Sequence, residues 1–179
     1  ARRFGKEFFD GDRKYGYGGF RYNPRFWQPV IPTFREHFGL TSASSVLDVG
    51  CGKGFMLHDM ALLVPGITVK GVDISSYAIE NAIEDMVPHV RVADARSLPF
   101  PDKSFDVVIS NGVINLCPDK ARVFAEAARV LDAGGRLAVA DIVAARALPK
   151  TVASNVHLWS ACIGGAAEVA DCVAFLCGP

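Results

Sequence analysis

The stretch Val46-Leu47-Asp48-Val49-Gly50-Cys51-Gly52-Lys53-Gly54 constrains the fold more than any other part of the chain. A short valine-rich apolar run reads as a buried strand. The three glycines that follow, at every second position, let the backbone turn tightly and present bare main-chain amides to a ligand. The residues from Gly54 to Leu63 have helical character. A strand that ends in such a loop and opens a helix is the first unit of a parallel α/β sheet.

The alternation continues downstream. Strands are predicted at 45–49, 68–72, 90–92, 105–110 and 136–142, and helices at 54–63, 75–86 and 118–131. A further helix is predicted from Pro24 to Phe38, with apolar residues at 26, 27, 30, 31, 34 and 38, a local disturbance at Pro32 and a stop at Gly39. The pattern implies a Rossmann-like, doubly wound, mostly parallel sheet with helices on both faces and a ligand at the carboxyl ends of its strands. Residues 1–23 are rich in glycine and aromatics and have no clean period, which predicts an irregular arm. Residues 24–145 form the expected core and 146–179 a shortened, Ala-rich and mostly helical tail. With 179 residues, half of them apolar, a single domain is expected.

Lys and Arg number 19 and so do Asp and Glu, so no net field would hold a polyanion or an anionic membrane. Neither nucleic acid nor a membrane is expected as a partner. The first residues lack a signal-peptide apolar run and no stretch is long enough to span a bilayer, which reads as cytoplasmic. Five cysteines without a CxxC pair suit reduced thiols, and no metal site is expected. The chain starts at Ala1 and stops at Cys177-Gly178-Pro179, which suggests a trimmed or incomplete product.

The loop spacing is GxGxG, and the position that would carry the third glycine of a dinucleotide loop is Phe55. Asp48, two residues before Gly50, is a poor neighbour for phosphate and a good one for an ammonium group. Both facts favour a nucleoside carrying an amino acid over a dinucleotide. Asp73 ends the second strand, where a carboxylate can accept from ribose hydroxyls, and Asp94 follows the third strand, where it can accept from an adenine amino group. Each of these carboxylates taken singly can equally be an exposed loop residue.

These segments, together with Gly71-Val72-Asp73-Ile74-Ser75, Ala93-Asp94-Ala95 and Leu98-Pro99-Phe100-Pro101-Asp102, resemble the successive motifs of class I S-adenosylmethionine-dependent methyltransferases between about residues 40 and 145. The resemblance implies S-adenosylmethionine as cofactor. It implies that the loop residues Asp48, Gly50, Cys51, Gly52 and Gly54 lie against the methionine part, Asp73 at the ribose and Asp94 at the adenine amino group. Ile74 and Ala95 would flank the adenine, and Asn111 would face the methyl group and the substrate.

The segments Ser110-Asn111-Gly112-Val113-Ile114-Asn115-Leu116 and Arg129-Val130-Leu131-Asp132-Ala133-Gly134-Gly135 are similar to the ubiquinone/menaquinone C-methyltransferase group and its arsenite methyltransferase relatives. Trp159-Ser160-Ala161-Cys162-Ile163-Gly164-Gly165 resembles the arsenite branch, in which a cysteine here binds trivalent arsenic. Cys51 also matches that branch, whereas Cys172 and Cys177 do not align with it. The other reading of Cys162 is a small buried hydrophobe. Asn115 is a candidate substrate contact, and His157 and Asp141 are candidate proton acceptors that compete with purely structural roles. Tyr15, Tyr17 and Tyr22 belong either to a lid over the site or to a strap that shields a sheet edge.

The activity implied by the resemblance is methyl transfer to a small molecule by in-line displacement. The competing reading is a catalytically silent, cofactor-holding domain, and thiolate-assisted arsenite methylation is a further one. The family sheet typically has seven strands, yet only 37 residues follow Ile142. A sheet of five or six strands is therefore expected, lacking part of the C-terminal hairpin, with residues 172–177 able to supply one short strand. An edge left open in this way invites a homodimer.

Overall fold

The computed structural model describes residues 4–155, 158, 159 and 162–177. Its arm carries α1 (Lys6–Phe9) and a short 3-10 turn, Arg13–Tyr15. Two helices, α2 (Pro24–Trp27) and α3 (Ile31–Phe38), lead into β1 (Ser45–Val49), α4 (Phe55–Leu63), β2 (Thr68–Asp73), α5 (Ser76–Glu80) and β3 (Val90–Val92). Then come β4 (Phe105–Asn111), α6 (Lys120–Val130), β5 (Leu131–Ala140), α7 (Lys150–Ala153) and α8 (Val169–Cys177). The five strands pair in the order β3-β2-β1-β4-β5, and every pairing is parallel.

Strand alternation sorts the core into two layers. Val46, Val69, Val107 and Ile109 face Ile31, Met56, Leu57 and Met60. Leu47, Val49, Val72 and Val108 pack with Leu98, Ala127 and Val130 on the other side. Burial of Leu57 and of Leu47, both fully enclosed, contributes roughly 2–3 kcal/mol each at the usual transfer value. After β3 the chain returns to the far side of β1, so the strand order reverses between β1 and β4, and the crevice there lies at the strands' carboxyl ends.

Several predicted elements differ from those observed. The helix expected over 24–38 is two helices, because both Pro24 and Pro32 sit in a first turn, where a missing N–H costs no helical bond. Gly39 closes α3 at φ 65°, as its sequence position suggested. The helix expected to reach Met86 ends at Glu80, since the Ile83 amide donates to Lys53 O at 2.9 Å and a 3-10 turn, Glu84–Met86, follows. The strand expected from 136 starts earlier, at Leu131: Phe105 pairs with Leu131 and Val107 with Arg136, with an irregularity between. The stretch 172–177, offered as a strand, is helical within α8, which packs on α6. Among the described residues the sheet has five strands, and β5 forms one edge with Val139 partly exposed.

Candidate functional site

A cavity of about 1060 Å³ opens over the carboxyl ends of the strands. The glycine loop forms its floor. Gly50 and Cys51 donate their amides to Val72 O at 2.7 and 3.0 Å, which ties the loop to β2. Gly52 N donates to Asp73 Oδ2 at 2.9 Å and Ser75 N to Oδ1 at 2.8 Å, so the carboxylate is held at the end of its strand. Burial raises the Asp73 pKa, and these amides partly offset the rise. Gly50 has φ +87°, and a Cβ there would stand 2.1 Å from Val113 Cγ2, so only glycine fits.

Asp48 lines the cavity, is only 6% exposed, and has no side-chain hydrogen bond or ion pair among the described residues. Burial, with a smaller contribution from the Asp73 charge, pushes it up to about 7. A buried carboxylate without a donor calls for a cationic or hydrogen-bonding ligand. Asp94, Ile74, Ala95 and Asn111 also line the cavity. Arg96 binds both Asp94 oxygens, at 3.0 Å from Nε to Oδ1 and 2.6 Å from Nη2 to Oδ2, and holds that carboxyl below its ordinary range. Gly54 is not among the lining residues. At φ +80° it caps α4, and a side chain there would press on Met86.

The arm supplies the opposite wall, through Phe4, Phe8, Phe9, Tyr17 and Phe20 among others. Phe20 stacks on Phe55 at 5.0 Å, and Phe9 is buried. Of the three tyrosines singled out in the sequence, only Tyr17 lines the cavity. Tyr15 is exposed beside Lys14, and the Tyr22 hydroxyl donates to Asp59 Oδ1 on α4 at 2.7 Å. Both lie off the cavity wall, because the 3-10 turn faces one outward and a buried carboxylate holds the other.

The second group of candidates separates likewise. Asn115 is buried and donates to Cys162 O at 2.9 Å, a tie between two loops; it does not line the cavity. Asp141 Oδ2 accepts the amides of Ile114 and Asn115 at 2.9 and 3.3 Å, so it anchors the turn Ile114–Leu116 and stands away from the cavity as a base. Cys51 and Cys117 line the cavity, and Cys162 Sγ lies 3.8 Å from Gly112 O, with its backbone at φ 60°. Burial is the main cause that raises all three thiols. His157 lies outside the described residues. Among the described residues no group of three or more His, Cys, Asp or Glu could hold a metal.

Sequence reasoning missed Lys53, Arg96 and Val113. Lys53 stood in plain view between two glycines, but its partner is 43 residues away. Arg96, two residues after Asp94, was the more accessible signal.

Residues 40–174 match the family model described as a methyltransferase domain. The arsenite methyltransferase of Halobacterium salinarum is 37% identical over 144 residues, which cover 76% of this chain and 37% of that protein. The 27-O-demethylrifamycin SV methyltransferase of Amycolatopsis mediterranei is 38% identical over 112 residues, 58% of this chain and 40% of that protein. The crystal structure of an arsenic(III) S-adenosylmethionine methyltransferase from Chlamydomonas reinhardtii aligns with a TM-score of 0.70 at 32% identity, over 85% of this chain and 59% of that one. The chain thus spans about two fifths of the length of these curated relatives. A parallel sheet with a glycine loop at its switch point, and a family model matched across most of the chain, establish that the protein belongs to the S-adenosylmethionine-dependent methyltransferases of class I.

Proposed function

We propose that the chain binds S-adenosylmethionine and transfers its methyl group to a small molecule. The observation that carries this reading is Asp48, a nearly buried carboxylate on the cavity wall with no hydrogen-bond donor among the described residues. It suits the ammonium group of the methionine part. Asp73 then takes the ribose hydroxyls, Asp94 the adenine amino group, Ile74 and Ala95 the adenine faces, and Asn111 the methyl end; all of them line the same cavity. Gly50 and Gly52 keep side chains out of the floor.

When bound, the sulfonium supplies a methyl carbon that is already activated. The protein's own share is alignment and exclusion of water. The aromatic arm wall excludes water, and the loop anchored to Val72 O and Asp73 fixes the approach. Tyr17 lines the same cavity, and burial raises its hydroxyl pKa, so it suits orienting an acceptor better than removing its proton.

Calorimetry with S-adenosylmethionine, S-adenosylhomocysteine and NAD tests the cofactor. Heat with the first two and none with NAD is expected, and tight NAD binding alone would sink the reading. A radiolabelled-methyl assay over quinol precursors, small phenols and arsenite then tests transfer. Binding without turnover on any acceptor would favour the silent cofactor-holding domain.

Arsenite is a second reading, favoured by the names of two relatives and by Cys51 and Cys117 on the cavity wall, with Cys162 Sγ 3.8 Å from the carbonyl of the lining residue Gly112. All three thiols are raised, so arsenic would have to displace protons on binding. Loss of arsenite methylation in Cys162→Ser supports this reading, and unchanged methylation removes it. A cytoplasmic setting accords with the free cysteines, and no helix among the described residues is long and apolar enough to cross a membrane. A homodimer through the β5 edge is the corresponding assembly, and sedimentation of the purified chain tests it.

A further inference from the structure

Asp94 and Arg96 stand side by side on the cavity wall. Arg96 chelates the carboxylate from three directions: Nε at 3.0 Å and the backbone N at 2.9 Å from Oδ1, and Nη2 at 2.6 Å from Oδ2. The residue is itself anchored, because its carbonyl accepts Arg122 Nε at 3.1 Å and Arg122 belongs to α6, whose first turn Asp119 caps. The carboxylate is therefore fixed in direction. The pair contributes little to folding: its side chains are 43% and 35% exposed, and ion pairs so exposed are worth at most about 1 kcal/mol. Such a fork on a cavity wall is better explained by what the carboxylate must meet there.

We infer that Arg96 is a positioning residue for purine recognition, aiming the Asp94 carboxylate so that the cavity selects a 6-amino purine over a 6-oxo one. The inference rests on the cofactor reading above. An ionised carboxylate only accepts hydrogen bonds, so it attracts the adenine amino group and repels a 6-oxo oxygen. A carboxylate free to rotate would lose part of that discrimination. Arg96 does not touch the reacting atoms in this scheme; it acts through Asp94.

The experiment compares binding of S-adenosylhomocysteine and its 6-oxo analogue, S-inosylhomocysteine, to the full chain and to Arg96→Ala, Arg96→Lys and Asp94→Asn. The unaltered chain is expected to prefer the amino ligand by more than about ten-fold, as a site built around a hydrogen bond does. Arg96→Ala should weaken S-adenosylhomocysteine about five- to ten-fold and shrink the preference to about three-fold, with an unchanged urea midpoint. Arg96→Lys should restore part of both, since lysine keeps the charge and loses the fork. An Arg96→Ala variant that keeps the affinity and preference of the unaltered chain, or binds more tightly, overturns the inference alone. Failure of the unaltered chain to bind S-adenosylhomocysteine overturns the cofactor reading and this inference with it.

Discussion

Lys53 Nζ lies 2.9 and 2.8 Å from the two carboxylate oxygens of Asp10, joining the glycine loop to the arm. The third ammonium proton goes to Phe20 O at 3.0 Å, and Tyr77 donates to the same carboxylate at 2.6 Å. Lys53 is only 7% exposed, so the arm screens the pair from water. The arm is therefore part of the cavity by an ionic tie as well as by aromatic packing.

Lys53→Met should free the arm while the sheet stays folded. The variant leaves the Asp10 carboxylate without its cation, and we expect a loss of about 1–3 kcal/mol, less than for a fully buried pair because Asp10 is partly exposed. Adding Asp10→Asn should recover part of it, a coupling that a double-mutant cycle reads. Limited proteolysis should cut the variant first within residues 4–23. Lys53, followed by Tyr77, holds the Asp10 pKa below its ordinary value. The stabilisation by the closed arm is thus present above the ordinary carboxylate range and fades as pH falls through the depressed value. An arm that stays protected in Lys53→Met would refute the tie.

Asp48 should make ligand affinity depend on pH. Its folded pKa, about 7, lies above the unfolded value. Ionising it therefore costs stability as pH rises from about 4 through 7, and the cost is complete above 7. Asp48→Asn should stabilise the free protein at pH 8 by up to about 4 kcal/mol, and by less at pH 5. An ammonium ligand prefers the ionised form, so S-adenosylhomocysteine should bind the unaltered chain progressively more tightly from pH 6 to 8. Calorimetry at both pH values should show a flat, weaker profile for Asp48→Asn; the same slope in both proteins would assign the dependence to another group.

Gly50→Ala meets two obstacles, a φ of +87° and the Val113 side chain. We expect it to lose about 2–3 kcal/mol of stability and measurable cofactor binding. Val113→Ala in the same chain should return the packing share and leave the backbone share, which urea melts of Gly50→Ala, Val113→Ala and the double variant separate. Full recovery would mean that the backbone strain is negligible.

Asn115→Ala should loosen the segment around Cys162 without touching the cavity wall. Its amide donates to Cys162 O from a fully buried position, and the loss should be about 1–3 kcal/mol. Faster alkylation of Cys162 is the expected readout, and an unchanged rate would show that the loops hold together by packing alone.

Local pattern was enough to read the unit from Ser45 to Leu63. A continuous run of buried residues defines β1, and glycines at positive φ define the loop that ends it. The carboxylates Asp73 and Asp94 were legible as well, because strand ends in a parallel sheet gather at one rim whatever the details of packing. Helix limits were less legible: Ile83 leaves its expected helix for a carbonyl 30 residues earlier, and no window of local periodicity contains that partner.

Local pattern thus sufficed for the parallel architecture, the glycine loop and the placing of Asp73 and Asp94 at strand ends, since each follows from steric rules that act within a few neighbouring residues. The tertiary structure decided which side chains share the cavity. It turned Tyr15 outward, tied Tyr22 to Asp59, enclosed Asn115 against Cys162, and set Lys53 on Asp10. Those outcomes depend on the path by which distant segments meet, and the polar partners they create are ones that sequence spacing does not announce.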